Sequence, residues 1–234
     1  MGLGKKVMTH IIVSNRPWNL DMTSHLQSKT GEKFFLISQF EDLTFEKIKK
    51  IDPLYIFIPH WSYAISKDIY ENYECVIFHM TDLPYGRGGS PLQNLIVRGH
   101  ETTIITALKC VKEIDTGPVY LKKPLSLLGS AEEIFLRASM LIEDMVCQIL
   151  KKDLVAIEQE GTPTEFKRRK PEQGDWSKLQ RLDEVFNHIR MLDANGYPPA
   201  FVRVGRFKLE FTRASRRTGS IISDVRILLE DNNE

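Results

Sequence analysis

The chain of 234 residues is long enough for one large domain, or one α/β domain with a small appendage, and too short for a second full-sized domain. Its 32 Lys and Arg against 31 Asp and Glu leave a formal charge of +1, which excludes a molecule-wide field that recruits a polyanion. Cys75, Cys110 and Cys147 sit widely spaced in apolar segments and read as core thiols of a reducing compartment; no apolar run nears the roughly 20 residues of a membrane span, so the expectation is a cytoplasmic protein with no membrane partner and no metal.

In chain order, short β-branched and aromatic runs at 10–14 (HIIVS), 33–38 (KFFLIS), 54–58 (LYIFI) and 75–79 (CVIFH) alternate with polar stretches compatible with helices, LTFEKIKKI and SKDIYENY. Continuous apolar strands of this kind belong to a largely parallel sheet covered by helices, an α/β, Rossmann-like fold. After His79 the texture changes to TDLPYGRGGSP, an ordered loop that leads into the amphipathic PLQNLIVRG. A further strand-like run follows at 102–111, then the turn IDTGPV and the segment LKKPLSL. Ser130 with Glu133 forms a capping box that opens a long amphipathic helix. Residues 161–176 are polar, 179–192 are helical again, and the tail alternates in three short runs, AFVRVG, RFKLEFTR and SIISDVRILL, that read as a small β meander. The expected domains are 1–160, a linker with a helix at 161–196, and a β subdomain at 197–234; so apolar a tail on so small a unit invites a homodimer.

A histidine at the end of a hydrophobic strand, before a Gly-rich loop, lies where open α/β sheets place ligands. His79 has that position, and Asp115 follows in the turn Ile114-Asp115-Thr116-Gly117. If their strands are neighbours, Asp115 can hold one imidazole nitrogen and leave the other free as a base. From spacing alone, a structural histidine and a turn-forming aspartate are the better-supported reading. Arg87 either binds an anion or pins its loop. The run Lys167-Arg168-Arg169-Lys170 has no interleaved aromatic platform and reads as a solvated linker.

His79-Met80-Thr81-Asp82-Leu83-Pro84, then Arg87-Gly88-Gly89-Ser90-Pro91 and Asp115-Thr116-Gly117, resemble the formyltransferase family that uses 10-formyltetrahydrofolate. Pro59-His60-Trp61-Ser62-Tyr63, the segment Arg168 to Trp176, and Tyr197-Pro198-Pro199-Ala200-Phe201 extend the resemblance across roughly residues 50 to 201. It implies a formyltransferase fold with His79 and Asp115 as catalytic residues. It also implies a folate pocket bordered by Pro59, His60, Trp61, Ser62, Met80, Leu83, Arg87, Gly88, Gly89 and Ile114. Ser14, Asn15, Arg16 and Trp18, after the first strand, and Asn94 are candidates for acceptor binding.

The chain departs from the family pattern at Ile77, where the family carries an asparagine that donates to the oxyanion; losing such a donor costs on the order of a hundred- to a thousandfold in turnover. A backbone N–H, Asn94 or His79 itself is expected to replace it. The short tail and near-neutral charge argue against transfer RNA and resemble sugar N-formyltransferases. The implied acceptor is a nucleotide-linked amino sugar, a UDP-4-amino-4,6-dideoxy-N-acetylhexosamine of the pseudaminic-acid type used in surface glycans, with no nucleic-acid partner. A methionyl-tRNA formyltransferase-like enzyme, a formyltetrahydrofolate hydrolase and a non-catalytic folate-binding module are the alternatives.

Overall fold

The computed structural model describes residues 6–152 and 154–230. The apolar runs form strands because β-branched and aromatic side chains fit a pleated surface covered on both sides. In chain order the elements are β1 (Thr9–Ser14), α1 (Met22–Thr30), β2 (Lys33–Ile37), α2 (Phe45–Ile51), β3 (Tyr55–His60), α3 (Lys67–Tyr70) and β4 (Glu74–His79). They continue with β5 (Arg87–Gly88), α4 (Pro91–Val97), β6 (Thr102–Lys109), β7 (Val119–Ser126), α5 (Ala131–Lys151) and β8 (Glu165–Phe166). The tail holds α6 (Leu182–Arg190), β9 (Ala200–Val204), β10 (Phe207–Arg217) and β11 (Ser220–Leu229).

Six strands form one sheet in the order β2-β1-β3-β4-β6-β7. The pairs β1–β2, β1–β3 and β3–β4 are parallel, and β4–β6 is antiparallel, with His79 opposite Thr106. The fold is therefore the mostly parallel sheet with helices that the apolar runs imply, with an antiparallel three-stranded sheet, β11-β10-β9, in the tail. The long helix starts where the capping box places it: Ser130 N–H donates to Glu133 Oε2 at 2.7 Å, and Glu133 N–H donates back to Ser130 Oγ at 3.3 Å.

Helix α1 and strand β7 have no counterpart in the sequence reading, nor do the two-residue strands β5 and β8, which pair with each other within stretches read as loop. Helix α1 (MTSHLQSKT) buries only Met22 and Leu26, so its apolar stripe is too thin for periodicity to show. Strand β7 (VYLKKPLS) carries two lysines and Pro124, which mask a strand; it lies at the edge of the sheet, where a proline is tolerated.

The chain divides into two compact units. One runs up to Arg87 and includes Ile104–Leu125 and Leu136–Glu165; the other comprises Gly88–Thr103, Ser126–Phe135 and the chain from Phe166. In the first, Ile11, Val13, Ile37, Ile48, Ile56 and Ile58 form the centre of an apolar cluster that also takes in Cys75 and Cys110. Both of these thiols are pushed up by burial, Cys110 to about 11, and all three cysteines are buried and free, as core thiols should be. Among the described residues no helix is long and apolar enough to cross a membrane.

Candidate active site

β4 ends at His79, and the chain leaves it through a loop tied down at several points. Thr106 Oγ1 donates to Thr81 O at 2.7 Å, joining the loop to the neighbouring strand β6. Lys122 Nζ reaches Asp82 Oδ1 and Leu83 O, each at 2.6 Å. The Leu83–Pro84 peptide is cis, and Gly86 N–H donates to Thr164 Oγ1 at 2.8 Å while Arg87 N–H donates to Thr164 O at 2.9 Å. The loop is ordered, as its placement between strand and helix suggests.

His79 is buried, with an acceptor on each side of its ring. Nε2 lies 2.8 Å from Gly86 O, and Nδ1 lies 3.5 Å from Asp115 Oδ2. Asp115 is buried in its turn with φ of 56°, a left-handed conformation that aspartate tolerates. The structure thus brings His79 and Asp115 together across 36 residues of sequence. It corrects one detail: the second nitrogen is not free. Gly86 O can only accept, so the ring donates to it through Nε2–H, and its other nitrogen faces the Asp115 carboxylate. To act as a base toward a substrate, Nε2 has to exchange Gly86 O for the reacting group.

Gln159, which the sequence reading passed over, holds this centre in place. Its Nε2 donates to Asp115 O and to Gly117 O, both at 2.9 Å, and its Oε1 accepts from Arg87 Nη2 at 2.8 Å and Nε at 3.3 Å. One amide therefore ties the aspartate turn to the Arg87 loop. It lies in a featureless polar stretch, AIEQEG, and its partners are more than 40 residues away, so no local signal marks it. Arg87 thereby pins its loop to the Asp115 turn through Gln159. Gly117 packs against Lys109 O so closely that a Cβ there would collide with it, which explains a glycine after the Asp-Thr pair.

The residues expected to border the folate or the acceptor divide into two groups. Ser14, Arg16, Trp18, His60 and Ser62 meet at the carboxyl ends of β1 and β3: Ser14 Oγ donates to His60 O at 3.2 Å, Arg16 Nη2 to Ser62 Oγ at 3.3 Å, and the Trp18 and His60 rings lie 5.5 Å apart. Burial, then the nearby Arg16 charge, pushes His60 down to about 3, so it stays neutral. Asn15 is exposed. Trp61 packs against the apolar cluster, while Pro59, Met80 and Leu83 are buried. Ile114 is 75% exposed.

Gly88 and Gly89 lie in the second unit. Gly89 N–H donates to Phe166 O at 3.0 Å, and a Cβ on Gly88 would sit 2.6 Å from that same carbonyl. Asn94 donates through Nδ2 to Gly89 O, Ser90 O and Lys167 O, each at 3.0 Å. Its amide is fully engaged in holding its own loop, which corrects the expectation that it replaces the oxyanion donor. Ile77 itself is half-buried and packs against the apolar cluster. Among the described residues no group of three or more His, Cys, Asp or Glu is placed to hold a metal ion.

Comparison with known proteins agrees with this geometry. The family model for the methionyl-tRNA formyltransferase C-terminal domain matches residues 171–228. The methionyl-tRNA formyltransferase of Bacillus cytotoxicus is 29% identical over 168 residues, which is 67% of this chain and 52% of that protein. The chain thus spans about half the length of the curated relatives it matches. Among solved structures, methionyl-tRNA formyltransferase from Clostridium thermocellum is 49% identical with a TM-score of 0.93, covering 95% of this chain and 100% of that one. A sugar N-formyltransferase from Shewanella shares the fold at 14% identity and a TM-score of 0.65, covering 97% of this chain and 99% of that one. With half of its residues shared along the whole length of the Clostridium protein, and with the His79 loop and the Asp-Thr-Gly turn assembled into one buried pair, the chain belongs to the formyltransferase family.

Proposed function

We propose that the protein transfers a formyl group from 10-formyltetrahydrofolate to a primary amine, with His79 and Asp115 at the reacting centre. The observation that carries this reading is the buried His79–Asp115 pair, at 3.5 Å, in a chain 49% identical to a methionyl-tRNA formyltransferase. The acceptor nitrogen bonds to the formyl carbon, the bond from that carbon to the folate nitrogen breaks, and an amine proton ends on the folate. His79 accepts that proton once Gly86 O has been displaced from Nε2, and Asp115 steadies the imidazolium while it exists. With Ile77 and Asn94 unable to donate, the developing oxyanion is left to His79 or to a backbone N–H.

Similarity moves the acceptor away from the nucleotide sugar expected from the sequence and toward methionyl-tRNA, which names both the Clostridium and the Bacillus relatives. The amino-sugar reading keeps one supporting observation, the formal charge of +1, since a tRNA ligand calls for a phosphate-neutralising surface. The test is purified protein with 10-formyltetrahydrofolate and, in separate reactions, methionyl-tRNA and a panel of UDP-linked amino sugars, followed by mass spectrometry. Formylmethionine released from the tRNA supports the first acceptor, and a formylated sugar nucleotide the second. Folate turnover equal with and without any amine, releasing formate, would sink the transferase reading in favour of a hydrolase.

A further inference from the structure

A cavity of about 300 Å³ lies within the second unit, where the start of α5, helix α6 and strand β10 meet. Its β10 wall is a bulge: the pairing with β11 shifts between Thr212 and Ser215, and Arg213 takes a φ of 52°. A left-handed arginine is uncommon, and this one is held by Asp193, whose Oδ2 accepts the Arg213 N–H at 2.8 Å. Bulges of this kind re-aim side chains beside functional sites. The α6 wall carries Phe186 and Arg190. Arg190 is only 8% exposed; its Nη1 donates to Leu127 O at 2.6 Å and to Gly129 O at 2.9 Å, and its Nε to Asn187 Oδ1 at 2.8 Å. Among the described residues its Nη2 has no hydrogen-bond partner, and the guanidinium has no ion pair.

A second cation stands beside the first. The Arg216 guanidinium lies 4.5 Å from the Phe186 ring centre and that of Arg190 lies 5.8 Å from it, and Arg216 forms no hydrogen bond or ion pair among the described residues. Burial, then repulsion from Arg216, holds Arg190 below the ordinary arginine range, and attraction to Glu101 offsets this only in part. Two guanidinium groups without a counter-ion favour a multiply charged oxyanion, because their forked donors match phosphate geometry. The remaining polar walls have the opposite character. Glu133 Oε2 accepts from Ser130 N–H at 2.7 Å and Asp193 Oδ2 from Arg213 N–H, which leaves each carboxylate a second oxygen to accept from a ligand. We propose that this cavity binds a small phosphate monoester that carries hydroxyl groups, its phosphate on Arg190 and Arg216 and its hydroxyls donating to Glu133 and Asp193. The volume is that of a small-molecule site. A polynucleotide fits less well, since it needs a run of unpaired cations along a surface and Arg213, next to the cavity, is already paired with Asp224. None of these residues takes part in the reacting centre proposed above.

Isothermal titration calorimetry of the full chain in a phosphate-free buffer, with inorganic phosphate, ribose 5-phosphate and a short single-stranded RNA as probes, tests this. Ribose 5-phosphate is expected to bind at one site and more tightly than inorganic phosphate. Arg216 is exposed and has no hydrogen bond to lose, so Arg216→Gln should leave the circular dichroism spectrum unchanged and weaken both phosphates by roughly tenfold or more. Glu133→Gln keeps an acceptor for Ser130 N–H and should weaken ribose 5-phosphate relative to inorganic phosphate. Absence of binding by both phosphates at millimolar concentration overturns the proposal, as does binding that Arg216→Gln leaves undiminished. Equal affinity for the two phosphates overturns the part given to Glu133 and Asp193. RNA binding without affinity for either small phosphate likewise overturns it and assigns the arginines to a nucleic-acid backbone.

Discussion

His79 sits between a carbonyl and a carboxylate, and its substitution separates a reacting group from a structural one. His79→Ala is expected to lower kcat for formyl transfer by about 10²- to 10⁴-fold with little change in the folate KM, the loss of a positioned general base. Unchanged turnover with a lowered melting temperature would make the histidine structural. Gln159 acts through others, so Gln159→Leu should lower kcat less, by roughly tenfold, and shift the pH profile of kcat, because Asp115 loses its support and both groups leave their positions. Gln159→Glu places a carboxylate against two carbonyls and should do no better; a profile identical to the wild type in both variants would refute the positioning role. Of this site, the histidine, the aspartate and the glycines were legible in the sequence as a spaced motif. Gln159 was not, because a residue whose function consists of long-range hydrogen bonds to three distant residues leaves no local pattern.

At the scale of elements, the site is a strand end, a tied loop and a turn. Gly117 fits only without a side chain because Lys109 O occupies the space of a Cβ, so Gly117→Ala must push the Asp115 turn away from β6. The expected cost is about 1–3 kcal/mol in urea unfolding, together with reduced turnover, as for overpacking elsewhere. A stability within about 0.5 kcal/mol of wild type would show that the turn yields without strain. The strands of the parallel part were readable from their apolar runs, since burial on both faces demands such runs. α1 and β7 were hidden for the converse reason: a helix with two buried residues, and an edge strand that contains Pro124, obey weaker compositional rules.

For the whole molecule, acid stability has a specific source. His10 is buried among Phe34, Tyr55 and Phe57 with no hydrogen-bond partner for either ring nitrogen, and burial pushes it down to about 4; His60 is pushed down to about 3. Both folded values lie below the ordinary 6.5, so the unfolded chain binds protons first. The stability they allow is complete above about pH 6.5 and is lost as pH falls through that value toward 4, by about 3 kcal/mol for His10 alone. Urea midpoints measured from pH 7 to 4 should fall accordingly, and His10→Phe should flatten the decline and raise stability at pH 7; an equally steep decline in the variant would place the acid sensitivity elsewhere.

The sequence by itself determined the α/β class, the three-stranded tail and the capping box at Ser130, because these follow from periodicity and short-range chemistry; the pairing of His79 with Asp115 was implied only by the resemblance to the formyltransferase family. Only the tertiary structure decided that His79 Nε2 is already held by Gly86 O, that Asn94 is committed to its own loop, and that Val204, Phe207, Val225, Ile227 and Leu229 of the tail are left exposed while Ala200 and Phe211 on the same face are covered. An alternating strand states that its two faces differ; which of them meets the rest of the chain depends on packing between distant segments, and that is fixed only when the chain has folded.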